Sequence, residues 1–239
     1  MKLVNKSVLA RRRYSLAPLW KKPKSEFRLT YGVPIPDHRS GGVTKNLEQG
    51  FRTYPLEKSP YRYKLEVVAS SEKVYPLFGS LSGLCGAECM SLLEVHDGEN
   101  ITTYESTSFI KQKVLDAFAP SAFQLVHDGY TGFGIASPNF EVFVTDHKDL
   151  RIYCNSLAEV ERILRSFDLP TTKRLVLLGS GPHYHIPIGA FFNSEFSKFA
   201  EALPQTEIEK YSRGGGTYEA FRQDISSKLE MSVQSKVKA

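Results

Sequence analysis

The chain has 239 residues, of which 41% are apolar and 12% aromatic, and a formal net charge of +5. That is enough apolar surface for a real core, which excludes global disorder, and no apolar run approaches the ~18 residues a transmembrane helix needs. Three cysteines, Cys85, Cys89 and Cys154, are too few and odd in number for a disulfide framework, which points to a reducing, intracellular compartment and most simply the cytoplasm.

The charge is unevenly spread. Lys2, Lys6, Arg11, Arg12, Arg13, Lys21, Lys22 and Lys24 precede the first acid, Glu26. Up to residue 64 there are 15 basic and 4 acidic side chains; the remainder carries 16 basic and 22 acidic. A basic arm on a mildly acidic body implies an anionic partner or a targeting address. Clustered Lys and Arg release counterions from nucleic acid, and Tyr14 and Trp20 are available to stack on bases. The same stretch is Arg-rich, contains Ser and lacks acids, as mitochondrial presequences do, with Arg12-Arg13-Tyr14-Ser15 resembling a processing site. Arg11 to Arg13 interrupt any apolar core of a secretory signal, and Pro18 and Pro23 disfavour a long membrane-surface helix. The bland alternative is a solvated tail.

In chain order, residues 1–60 read as an extended arm with six prolines, because proline removes a donor and biases its predecessor to extended geometry. Tyr61 to Ala69 reads as a strand, Val74 to Leu81 as a short helix, and Cys89 to Val95 as a strand. Asp97-Gly98 is a hairpin signal leading to a strand at Ile101 to Glu105. Ile110, Val114, Leu115 and Phe118 share one face of a helix near 108–118. Asp128-Gly129 suggests a second hairpin, between strands near 122–127 and 131–136. Phe140 to Thr145 alternates, the polar segment Asp146 to Asp149 turns the chain, and Leu150 to Cys154 continues it. Ser156 and Glu159 form a capping-box pattern for a helix carrying Leu157, Val160, Ile163, Leu164 and Phe167, which Pro170 ends. Strands at Arg174 to Leu178 and His183 to Ile188, a helix opened by Asn193, and a glycine linker at 214–216 follow. Tyr218, Phe221, Ile225 and Leu229 mark a last amphipathic helix, after which 232–239 should fray.

The expectation is an α+β fold. A mainly antiparallel sheet would be built from hairpin–helix units near 88–118, 140–168 and 174–203, with helices on one face, behind a long basic extended arm. The domains are a basic, proline-containing extension (1–60), an α+β body (61–205), and a glycine-linked C-terminal helix and tail (206–239).

Five features are candidates for chemistry. On a strand, His183 and His185 share one face, with Tyr184, Ile186 and Ile188 turned to the core. Such a pair can give two imidazoles to a zinc ion, but a third ligand must come from elsewhere, from His96, His127, His147 or an acid. Cys85 and Cys89 could complete a Cys2His2 set, or lie buried and inert. The triplets His96-Asp97-Gly98 and His127-Asp128-Gly129 read as turns with solvated histidines. Asp146, His147 and Asp149 read as a polar loop in which a carboxylate could orient a histidine. Gly179-Ser180-Gly181 lacks the residues of a phosphate loop and reads as a tight turn.

The first functional expectation is a non-enzymatic binding or structural protein without cofactor. Its basic arm would contact nucleic acid, a ribonucleoprotein or an acidic protein surface, and would be able to carry assembly between copies. The alternative is a small metal-dependent hydrolase using the His183/His185 pair with zinc.

Overall fold

Alternating apolar and polar residues give the chain long strands with one face to bury, and the fold follows from how those faces are covered. The computed structural model describes residues 27–33, 47–96, 100–181, 183–192, 206 and 220–238. The strands are β1 (Gly50–Pro55), β2 (Tyr63–Val68), β3 (Glu88–His96), β4 (Asn100–Glu105), β5 (Phe109–Ile110), β6 (Thr131–Ser137), β7 (Phe140–Val144), β8 (Leu150–Cys154) and β9 (Ser232–Lys238). The helices are α1 (Ser71–Ser82), α2 (Lys111–Phe118), α3 (Ala122–His127), α4 (Leu157–Ser166) and α5 (Ala220–Lys228).

All of these strand pairings are antiparallel, in the order β1-β2-β8-β7-β6-β3-β4-β9, with β5 paired to β3 off that path. The fold is therefore the expected mixture of helices and antiparallel sheet. Register aligns Phe51, Val67, Leu150, Val144, Phe133 and Leu93 in one row across six strands. Each is 0% exposed. Val74, Leu77, Phe78 and Leu81 of α1, Val114 and Phe118 of α2, and Val160 and Leu164 of α4 join the same cluster. Phe133 is its hub, edge-on to Phe78 and Phe118 at ring-centroid distances of 5.0 and 5.8 Å.

Several expectations need correcting. Residues 50–55, inside the stretch read as an arm, form β1, and Phe27 and Leu47 pack with Val68, Leu175 and Leu178 in a second small core. Residues 122–127 are helix α3, not a strand, because Pro120 starts a 3-10 turn that leads straight into it. Residues 174–178 are not a strand: contact with β1 is limited to a bridge between Phe51 and Thr171, and Leu175 and Leu178 turn into the second core instead. The third hairpin–helix unit therefore has no hairpin. Residues 183–187 form no strand of the sheet, since Pro187 cannot donate to a ladder, and Ile188 opens a 3-10 turn. Ser156 makes no side-chain cap. The C-terminal residues do not fray: β9 pairs with β4 and covers what would otherwise be its open edge. The turn at Asp97-Gly98, the helix after Asn193 and the linker at 214–216 lie outside the described residues. Among the described residues, no helix is long and apolar enough to cross a membrane.

Candidate metal centre

The β7–β8 turn and the segment 178–188 meet at one end of the sheet. The turn is tight: Thr145 N–H donates to Asp149 O at 2.9 Å, and Lys148 adopts φ 69°. Two buried carboxylates hold the segment at both ends. Asp149 accepts from Leu178 N–H at 3.1 and 3.3 Å, and Asp128 Oδ1 accepts from Ile188 N–H at 3.1 Å. Between these anchors, Ile186 N–H donates to Gly32 O and Gly129 N–H donates to Ile186 O. Gly32 and Gly129 must be glycine, because a Cβ on Gly129 would stand 2.0 Å from Gly32 O. With the segment held so, Tyr184, Ile186 and Ile188 are buried, as the two-residue alternation implied.

His183 and His185 therefore point the same way, and His147 from the β7–β8 turn joins them. His147 Nε2 lies 2.9 Å from His183 Nε2, which lies 3.0 Å from His185 Nε2. The three rings are steeply inclined to one another, at 65° to 81°. Gly179 leaves room for this arrangement: a Cβ there would come within 2.9 Å of the His147 ring.

The far side of each ring fixes its tautomer. His183 Nδ1 is 2.7 Å from Gly181 O, His185 Nδ1 is 2.5 Å from Gly129 O, and His147 Nδ1 is 2.7 Å from Asp146 Oδ1. Carbonyls and carboxylates only accept, so each Nδ1 carries the proton. In the neutral rings all three Nε2 atoms then present lone pairs to one another. Such acceptors, with His183 Nε2 about 3 Å from each of the other two, repel one another, and a cation between them removes the repulsion. A tetrahedral zinc with Zn–N of ~2.0–2.1 Å sets its ligands about 3.3 Å apart, a few tenths of an ångström more than seen here. Nδ1–H bonds to carbonyl or carboxylate are the usual outer support of imidazole ligands.

The electrostatics favour ligation. Burial lowers the pKa of His185 to about 4 and also lowers that of His183, where the charge of His147 adds to the effect. Both imidazoles are thus neutral at pH 7. Burial pushes Asp146 up, but the His147 hydrogen bond and the neighbouring imidazoles outweigh it and hold the carboxyl below its usual range. Burial raises Asp149 to about 7 despite the Leu178 N–H bond.

The other sequence candidates fall elsewhere. Cys85, Cys89 and Cys154 are buried in the main core, and burial drives Cys85 up to about 12. They are not among the metal-competent groups of the described residues, so the Cys2His2 set is not formed. His127 is not a solvated turn histidine: Tyr31 N–H donates to its Nδ1 at 3.2 Å, and Tyr31 and Phe123 enclose the ring. Asp128 is an anchor rather than a hairpin residue. His96 is also buried, with Nε2 2.9 Å from Glu94 Oε1. The arm residues Lys2, Lys6, Arg11, Arg12, Arg13, Tyr14, Trp20, Lys21, Lys22 and Lys24 lie outside the described residues.

Sequence reasoning named His147 only as one of several third ligands. Its signal was the preceding Asp146, a carboxylate able to orient it; no spacing linked it to His183, 36 residues on. A concavity of about 670 Å³ lies elsewhere, against the sheet, lined by Glu88, Glu94, Glu105, Glu141, Arg151 and Tyr153 among others. The three histidines do not line it; they sit at the sheet end with the His147 side chain 21% exposed.

No family model matches the chain, and no significant match was found among curated proteins or among solved structures.

Proposed function

We propose that His147, His183 and His185 hold a zinc ion and that the protein is a metal-dependent hydrolase. The observation that carries this reading is the convergence of three Nε2 lone pairs whose Nδ1 atoms are all committed to acceptors. Three imidazoles, which bind zinc in their neutral form, leave a tetrahedral ion one open position, the pattern of catalytic rather than structural sites. Zinc so bound supplies Lewis acidity and a water ionising near neutral pH. The chain's own residues supply position: Gly181 O and Gly129 O orient two rings, Asp146 orients the third, and the partly exposed side of His147 gives access.

The test is metal content and turnover of full-length protein purified without an affinity tag. Stoichiometric zinc, hydrolysis of a generic ester or phosphodiester abolished by chelator and restored by zinc, and loss of both in His183→Ala/His185→Ala are expected. Metal content unchanged in that double variant would overturn the assignment of the ligands. Metal without turnover would leave a zinc-stabilised binding protein.

A second reading rests on the sequence. Eight cations without an acid in residues 1–25 favour contact with nucleic acid or an acidic protein surface, whether as the whole function or as the means of recruiting an anionic substrate. Replacing Arg11 to Arg13, Lys21, Lys22 and Lys24 with Gln should weaken binding to generic RNA and flatten its salt dependence. An unchanged salt slope removes the arm from the account.

A further inference from the structure

We infer that Glu94, His96 and Asp146 form a second divalent-cation seat directly behind the three-histidine centre. Glu94 Oε1 and His96 Nε2 are 2.9 Å apart, His96 Nε2 and Asp146 Oδ2 are 3.6 Å apart, and the three ligand atoms lie within 4.8 Å of one another. Without an ion, His96 Nε2–H donates to Glu94 Oε1; an ion seated here displaces that proton, and one imidazole with two carboxylates is then a common donor set for zinc or manganese.

One further observation points to an ion here, an orphan acceptor. The Asp146 side chain is 7% exposed, and its Oδ2 is buried without a hydrogen-bond partner. His185 Nδ1 at 3.4 Å and His96 Nε2 at 3.6 Å are directed to Gly129 O and Glu94 instead. A buried carboxylate oxygen left so is costly unless a cation faces it.

Of the three, Glu94 lines the open concavity, with its side chain 25% exposed, so the seat borders solvent on that side. Asp146 lies between the two seats. Oδ1 holds His147 Nδ1 and Oδ2 faces His96 and Glu94, so an ion on Oδ2 fixes the carboxylate that fixes His147.

The inference shares only Asp146 with the proposed function, and one experiment separates the two. Full-length untagged protein is equilibrated with zinc, and in parallel with manganese, dialysed, and its bound metal measured. Two equivalents are expected in the wild type, one in Glu94→Gln, and one in His183→Ala/His185→Ala. One equivalent in the wild type, or two retained in Glu94→Gln, overturns the second seat. If that single equivalent is lost in the double-histidine variant, the three-histidine centre stands without it. Should Glu94→Gln not fold by circular dichroism, His96→Gln replaces it with the same expected loss.

Discussion

The middle of the sheet and its histidine-bearing end are both buried, but on different terms. In the middle, Phe51, Val67, Leu150, Val144, Phe133 and Leu93 satisfy one another by contact alone. At the end, Asp128, Asp146, Lys148 and Asp149 are also buried, and each must find a specific partner. The apolar region tolerates any packing that fills its volume. The polar region is tied to one geometry, with three imidazole nitrogens left facing each other. Stability should therefore reside in the first region and ion binding in the second, and substitutions should separate the two.

The largest effect should come from Phe133→Ala, which removes the ring contacting Phe78, Phe118 and Tyr75. A loss of about 3–5 kcal/mol is expected for a large buried aromatic. Urea unfolding should show it, with the metal content of the molecules that stay folded unchanged. Altered metal stoichiometry in the folded fraction would break the separation of the two regions.

His127 should make stability fall in acid. Burial lowers its pKa to about 3, below the unfolded value of 6.5. Between these values the unfolded chain holds more protons, so the stabilisation is complete above pH 6.5 and is lost as pH falls toward 3. The effect should be on the order of 3 kcal/mol, discounted for the partial exposure of the ring. Urea midpoints from pH 7 to pH 4 should drop less steeply in His127→Gln than in the wild type. Parallel profiles would show that other groups govern the acid limb.

Asp146→Asn keeps the shape but weakens the support of His147. Placed in a Glu94→Gln background, where only the three-histidine centre is expected to fill, it should lower metal affinity 10–100-fold, read by competition with a chelator of known strength. An unchanged affinity would show that His147 does not depend on this carboxylate. The smallest effect is expected of Gly179→Ala. The added methyl meets the His147 ring at 2.9 Å, and the ring can shift, so affinity should fall only a few-fold, about 1 kcal/mol or less. A loss as large as that of a deleted ligand would show the ring to be rigidly held.

Much of this fold is legible in the sequence because local patterns carry it. Alternation marks β3, β7 and β8, and the stripe of Val160, Ile163 and Leu164 marks α4. Misreadings arose where a short segment has no clear period. Residues 122–127 have too few turns to separate helix from strand, and Pro120 decides the matter. Residues 232–238 pair with β4, a partner more than a hundred positions away that local sequence does not reveal.

The sequence by itself determined that His183 and His185 share a face, because a period of two survives even outside a sheet, and that residues 1–25 carry only positive charge. Only the tertiary structure decided which histidine joins them. His147 arrives through Asp149 holding Leu178, Asp128 holding Ile188, and the close passage of Gly32 past Gly129. These are contacts between distant positions whose pairing no local spacing encodes, and a cluster of three histidines from two segments exists only once such contacts are made.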